Sequence, residues 1–321
     1  MKLLKLIPDD TNIRFLRWRI PFYTVSLLLM AAAVALVVMR GLNLGVDFVG
    51  GQMIRATFTE AQEAPVAELR DTIGALGYGD PIVQQFGRPN EISIRMKLPE
   101  EAEGQPALAD RMAREITAAM QAGYPGVRID GVDSVSGKVS GELFETGMLA
   151  LLLAMIGISI YIWIRFEWQF GVGALFALLH DVTLTVGFFA LTQLEFDLNS
   201  VAALLTLIGY SLNDNIVVYD RVRENMKKYR KMHMPDLLDL SVNETLSRTV
   251  VTSIALLITL VALLILGPDV IFGFTAAITL GIFVGTYSSI FMSTPILVWL
   301  GVNSDSFVPE EEGDKLIAKG L

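Results

Sequence analysis

The sequence predicts a polytopic α-helical membrane protein, six transmembrane helices carrying one α+β domain outside the cytoplasm. Three observations predict it. Six apolar runs are each long enough to cross a bilayer. Lysines and arginines crowd alternate connections between those runs and are missing from the others. The polar segment 40–142, between the first and second runs, alternates strand and helix signals.

A span needs about 20 mainly apolar residues to cross a ~30 Å hydrocarbon core. The qualifying stretches are Pro21–Met39, Leu143–Ile164, Phe170–Thr192, Val201–Tyr219, Val250–Leu266 and Phe272–Leu300. The last is long for one span, which tilt or an interfacial tail accommodates. Trp163, Trp168 and Trp299 lie near predicted ends, where indole rings favour the membrane surface. The first run follows a basic lead like that of a signal peptide. It is too long for one, however, and ends in Met39-Arg40-Gly41 rather than at a small-residue cleavage site, so it reads as an uncleaved anchor.

Side follows from charge. The arm 1–20 carries Lys2, Lys5, Arg14, Arg17 and Arg19. Seven basic residues, from Arg221 to Arg248, crowd the connection between spans four and five. The connections Gln193–Ser200 and Gly267–Ile271 have none. Both termini, the arm 1–20 and the tail 301–321, are therefore expected in the cytoplasm, with 40–142 outside and 143–300 holding spans two to six.

Composition agrees. Hydrophobic residues make up 53% and charged residues 18%, richer in apolar and poorer in charged residues than an ordinary soluble domain. A net charge of −9 argues against nucleic acid, whose phosphates call for basic patches. No cysteine is present, so disulfides, thiolate metal sites and thiol catalysis are excluded. His180 and His233 stand far apart, and no metal or other cofactor is expected.

In the outer segment, Gln52–Thr59 reads as a strand and a helix follows with Val66, Leu69, Ile73 and Leu76 on one face. Pro81–Phe86 and Glu91–Lys97 read as strands joined by a turn at Arg88-Pro89-Asn90. A helix over Pro106–Ala122 and a strand over Val127–Val135 complete the order β-α-β-β-α-β, the ferredoxin-like arrangement. No acid, base and nucleophile converge in it, so a binding or moving role is expected and an enzyme is not.

Ionisable groups inside a span cost about 2.5–3.5 kcal/mol on insertion scales and need a reason. Asp181 lies midway along span three beside His180. Asp214 lies in span four between Asn213 and Asn215, roughly 8 Å inside the boundary. Arg248 opens span five and can extend inward along its helix. If spans four and five are neighbours, Asp214 and Arg248 could meet, with Asp181 deeper, in a stepped polar file suited to proton carriage. The other reading is polar glue between helices, and both stay open for Asp181 and Asp214. Asp220 and Arg221, at the end of span four, are within reach of water. Gly281 and Gly285 form a GxxxG pair that permits close helix approach.

Asp47-Phe48-Val49-Gly50-Gly51 resembles the DFxGG signature of the SecD/SecF family, its paired glycines letting the chain turn from helix into strand. Arg165-Phe166-Glu167-Trp168 and His180-Asp181-Val182 are similar to the family's second and third spans. The run from Gly209 to Asn225, with Asn213-Asp214 and Asp220-Arg221-Val222-Arg223-Glu224-Asn225, resembles the fourth-span signature of the SecF branch. Thr245–Thr249 matches the entry to span five. Where the family has Val-Gly-Pro before span two, this chain reads Ser136-Gly137-Lys138.

The resemblance implies an RND-like half that pairs with SecD into a pseudo-symmetric unit of twelve spans in the bacterial inner membrane. It implies use of the proton-motive force to assist a SecY-centred channel in moving preproteins, on the periplasmic side, with membrane lipid around the spans. The family's proton-linked aspartate falls on Asp214 and its functional arginine on Arg248. Asn213 and Asp181 join them as proton-coupling candidates, and Asp47, Gly50, Gly51, Asp220 and Arg221 stand as structural motif residues. Two rivals share features with this reading. A half-size RND-type exporter of lipids or small molecules shares fold and energetics. An intramembrane aspartyl protease needs a GxGD on a later span, and none follows.

Overall fold

The computed structural model describes residues 8, 11–86, 88–98 and 106–302. Lys2, Lys5 and the acidic Glu310–Glu312 lie outside the described residues. Six helical segments are long and apolar enough to cross a membrane. They are α1 (Arg19–Arg40), α5 (Gly137–Arg165), α6 (Trp168–Thr192), α7 (Leu198–Lys228), α8 (Met234–Leu266) and a last span made of α9 (Phe272–Ser288) and α10 (Thr294–Trp299). Between α1 and α5 come α2 (Val46–Val49), β1 (Gly51–Phe58), α3 (Val66–Gly74), β2 (Ile82–Phe86), β3 (Arg88–Met96), α4 (Pro106–Gly123) and β4 (Val127–Val135).

The helices outrun the apolar stretches that announce them. α5 starts at Gly137, α7 continues nine residues past Tyr219, and α8 begins sixteen residues before Val250. Helical hydrogen bonding needs no apolar side chains, so each helix continues into the polar surroundings until something caps it. α7 begins in a capping box, Asp197 accepting from Ser200 N while the Ser200 hydroxyl accepts from Asp197 N. Pro235 sits in the first turn of α8, where its missing N–H is no loss.

Three spans are inner and three are outer. At least half of the apolar window of α6, of α7 and of the last span is buried, against 17% for α1 and α5 and 11% for α8. The inner spans pack closely where glycine replaces a side chain. A Cβ on Gly187 of α6 would collide with Ala33 of α1, and one on Gly281 of α9 would lie 2.5 Å from Leu207 of α7. Gly285, the second member of the GxxxG pair, faces Ser211 and the Asp181 carboxylate at 3.5 Å.

The last span is not one uniform helix. A five-residue π turn, Ser289–Ser293, separates α9 from α10. A wide turn loosens backbone bonding, and side chains satisfy the carbonyls it frees. Ser293 and Thr294 hydroxyls donate to Ser289 O at 2.7 and 3.0 Å, and the Tyr23 hydroxyl of α1 donates to Met292 O.

The sheet has strand order β2-β3-β1-β4, every pairing antiparallel. With α3 and α4 on one face, it is the ferredoxin-like arrangement expected. Ile54, Ala56, Ile92 and Ile94 face Leu69, Ile73, Ile116 and Met120 in a sealed core, each large side chain contributing about 1.5–3 kcal/mol. Arg88, Pro89 and Asn90, expected as a turn, instead open β3. β3 pairs with β1 only from Glu91 onward, so the missing N–H of Pro89 breaks no bond to β1.

The DFxGG segment joins the two parts. Gly50 (φ 73°) and Gly51 (φ 120°) hold conformations that side chains disfavour. Space forbids one as well: a Cβ on Gly50 would lie 2.9 Å from the Gly137 backbone, and one on Gly51 would strike Met96 O. Ser136 caps α5, accepting from Val139 N at 3.4 Å, which puts Lys138 in the first turn. Proline and lysine both suit that position, so the departure from Val-Gly-Pro leaves the helix start intact.

Candidate functional site

Asp181 is completely buried where α6, α7 and α9 meet. Its Oδ2 accepts from the Ser211 hydroxyl of α7 at 2.6 Å and the Ser288 hydroxyl of α9 at 2.9 Å. Its Oδ1 lies 2.9 Å from His180 Nδ1, and His180 Nε2 lies 2.8 Å from the Tyr287 hydroxyl. Tyr287 in turn approaches Ser26 of α1 at 3.5 Å. A polar chain thus crosses the bundle from α1 through α9 and α6 to α7, inside spans whose surroundings are apolar. His180 is held at both ring nitrogens.

One turn further along α7 lies Asp214, 6% exposed. Thr249 of α8 donates to its Oδ1 at 3.1 Å. Its Oδ2 is buried and has no hydrogen-bond partner among the described residues, and the same holds for Oδ1 of neighbouring Asn215. Asn215 Nδ2 donates to Ser211 O at 3.0 Å, so the Asp181 cluster and Asp214 are joined through one turn of α7. Close by, the Tyr210 hydroxyl meets Ser253 and Ser253 meets Thr286, each at 2.8 Å, tying α7, α8 and α9 together.

Spans four and five are therefore neighbours, but Thr249 rather than Arg248 meets Asp214. Arg248 is exposed on α8, and no ion pair joins it to Asp214 among the described residues. The helical phase explains this: adjacent positions point about 100° apart, and Thr249 takes the inward one. Asn213 likewise faces outward while Asp214 and Asn215 face in. Asp220 is 61% exposed and pairs with Arg165 at 3.4 Å, and Arg221 bonds Glu224 at 3.0 Å and approaches Glu244 at 3.8 Å.

The hydroxyl partners, Ser211, Ser288, Tyr287 and Thr249, were not singled out in the sequence. Their signal is a polar run within span six, Thr286-Tyr287-Ser288-Ser289, and a serine one turn before Asp214.

A second polar cluster lies at the sheet-domain end of the spans. Arg95 of β3 donates to Leu44 O and, at 2.6 Å, to Asn43 Oδ1 in the exit loop of α1. Asn43 Nδ2 donates to Gln193 O at 2.9 Å, and Leu44 bridges Phe196 in the α6–α7 loop. Asp47 of the DFxGG segment accepts from Leu198 N, the first residue of α7, at 3.0 Å. Glu195 sits within this junction, its Oε1 buried and without a hydrogen-bond partner among the described residues.

Burial raises the Glu195 carboxyl above the ordinary carboxylate range; Arg95 and Arg55 pull it down while Asp197 and Asp47 push it up. A raised value in the folded state means that the junction is most stable below the ordinary glutamate pKa of about 4.3 and loses stability as pH rises through the raised value. Glu195→Gln is expected to melt higher than the parent chain at neutral pH and together with it in acid, read by thermal unfolding in detergent at the two pH values.

Family models match two stretches of the chain. Residues 115–303 match the C-terminal part of the protein export membrane protein SecD/SecF, and residues 35–62 match the SecD/SecF GG motif. The protein translocase subunit SecF of Rhodobacter capsulatus is 44% identical over 99% of this chain and 97% of its own length. That of Rickettsia akari is 39% identical over 92% and 94%. Among solved structures, SecDF of Thermus thermophilus, a translocon-associated membrane protein, is 33% identical over 92% of this chain, with a TM-score of 0.83. SecDF in a super-membrane-facing form gives 31% identity over 97%, with a TM-score of 0.66. This chain spans about two fifths of the length of those SecDF chains, 39% and 40%.

Proposed function

The chain belongs to the SecD/SecF family of protein-export membrane proteins, and from that membership we propose that it is the SecF half of a unit with a SecD-type partner. The unit uses the proton-motive force to assist Sec-dependent preprotein translocation across the bacterial inner membrane. The full-length relatives named protein translocase subunit SecF support the export role. The fit of this chain to two fifths of a SecDF chain supports a partner that supplies the remainder. The basic N-terminal arm and α7–α8 connection support cytoplasmic termini and a periplasmic sheet domain.

The observation that carries the energetic part is the Asp214 carboxyl: buried among helices, with one oxygen bonded to Thr249 and the other without a hydrogen-bond partner of normal geometry among the described residues, the Ser289 hydroxyl and the Arg248 charge lying near. An ionised carboxylate so placed lacks half its solvation, whereas a protonated one does not need it. Such a group changes charge at a cost its surroundings set. A shift of α8 against α7, moving Thr249 and the Arg248 charge, would alter that cost and couple proton binding to helix movement. One charge crossing 100 mV is worth about 2.3 kcal/mol, ample to bias such a movement. The Asp181 cluster continues the path inward through Ser211. We propose transport rather than catalysis, since Asp220, 61% exposed, is paired with Arg165 rather than with a second carboxylate among the described residues.

The test is export in cells depleted of the chain, with and without a proton gradient. Loss of the chain is expected to slow preprotein maturation while the gradient stands and to add nothing once a protonophore has collapsed it. An undiminished effect after collapse would overturn proton coupling, and normal maturation without the chain would overturn the export role.

A further inference from the structure

A groove of about 670 Å3 runs between α5 and α6 on the outside of the bundle. It is lined from α5 by Leu152, Ile156, Ile160 and Trp163 and from α6 by Trp168, Val172, Leu175 and Leu179. On each helix the lining recurs every three or four residues, so each contributes one continuous stripe. The walls are carbon; the Ser159 hydroxyl beside them is committed to Met155 O at 2.7 Å. The helices touch at Gly171, where a Cβ would lie 3.6 Å from Ser159 O and 3.8 Å from Trp163.

Three magnitudes choose the occupant. From Leu152 to Trp163 the groove is ~16 Å long at 1.5 Å per residue, about half of the ~30 Å hydrocarbon core and so the depth of one leaflet. Spread over that length, the volume is ample for an acyl chain lying along the two stripes. An extended hydrocarbon chain fits. At the surface end, Trp163 and Trp168 are 64% and 50% exposed, as indoles at the headgroup level are. Arg165 lies in the turn between the two stripes, 46% exposed, 3.4 Å from exposed Asp220 and 5.0 Å from the centre of the Phe166 ring. An exposed pair of that kind is worth under about 1 kcal/mol, leaving the guanidinium able to take a phosphate through paired N–H donors.

We propose that this groove is a binding site for one phospholipid of the leaflet holding the α5–α6 turn, with an acyl chain between the two stripes and its phosphate on Arg165. The site depends only on α5 and α6 crossing a bilayer and is independent of proton coupling.

The experiment uses the full chain, with any partner that co-purifies, in vesicles of phosphatidylethanolamine and phosphatidylglycerol. A trace of phospholipid carries a diazirine at the end of its acyl chain. After illumination, cross-links are mapped by mass spectrometry. Groove residues are expected to label about tenfold more strongly than the lipid-facing Val251, Ile258 and Ile265 of α8, a preference of about 1.4 kcal/mol. The double variant Ile156→Trp, Leu175→Trp is expected to abolish the excess while melting with the parent chain. Arg165→Gln is expected to reduce labelling by phospholipid but not by a diacylglycerol carrying the same diazirine. Equal labelling of groove and α8 would reduce the groove to ordinary annular lipid and overturn the proposal. A photoreactive residue at position 156 that cross-links to another polypeptide instead of lipid would do so too.

Discussion

Asp214→Asn is expected to leave the chain inserted and folded yet unable to support preprotein maturation, the largest functional loss from a single isosteric change. Asparagine keeps the shape of the side chain and an oxygen for Thr249, whose hydroxyl lies 3.1 Å from Oδ1. It cannot take up or release a proton. At the Oδ2 position, buried and unpaired among the described residues, the amide N–H groups would cost about 1–3 kcal/mol if they found no acceptor, offset by the loss of a buried charge. The packed state therefore loses little, and the apparent unfolding midpoint in detergent is expected to stay with that of the parent. Arg248→Ala, changing an exposed residue, is expected to give the same export defect with the same stability. Asp214→Glu, which retains a titratable group one methylene away, is expected to keep partial activity. Polar glue predicts the opposite pattern, with export intact in Asp214→Asn. The readout is maturation in cells carrying each variant as the only copy.

Asp181→Ala is expected to cause the largest loss of stability, about 2–5 kcal/mol, the cost of leaving its buried partners unsatisfied. The carboxylate is fully buried and takes hydrogen bonds from Ser211 and Ser288 while facing His180. Without it the Ser211 hydroxyl and His180 Nδ1 lose their partner, each costing about 1–3 kcal/mol, while Ser288 keeps Gly285 O at 3.2 Å. Asp181→Asn separates the two roles. Its amide oxygen in the place of Oδ2 can still accept from both Ser211 and Ser288, so most of the packing survives, but no proton can be exchanged. A relay predicts normal expression and failed export for Asp181→Asn; glue predicts failed folding for Asp181→Ala and working export for Asp181→Asn.

The order of elements was legible because it rests on periodicity and charge. Apolar and β-branched residues over Gln52–Thr59 and Val127–Val135, and three- and four-residue spacing from Val66 to Leu76, led to the strands and helix observed. The buried aspartates were legible because a carboxylate in a span is costly enough to draw notice on its own. The groups that receive them were not. Serine and threonine are common in membrane helices and carry no cost that singles them out, so Ser211, Ser288 and Thr249 gained meaning only from distances. That Asp214 and Arg248 could meet rested on depth alone, and depth along an axis says nothing of angle around it. One residue of helical phase put Thr249 there instead. The π turn at Ser289–Ser293 escaped for a related reason, as hydropathy reports that a run crosses the membrane but not how its backbone is wound.

The junction at the sheet-domain end has a mechanical meaning. β3 grips the exit loop of α1 through Arg95, that loop is bonded to the strand-like stretch before α7, and Asp47 holds the first amide of α7 itself. From that anchored end α7 runs unbroken for 31 residues, about 45 Å, past Ser211 and Asp214. A pull on the outer domain must therefore either snap these bonds or travel along a stiff rod to the depth of the buried acid. On the proposed function, work done on a polypeptide outside and the charge state of a carboxyl inside would be two ends of one lever.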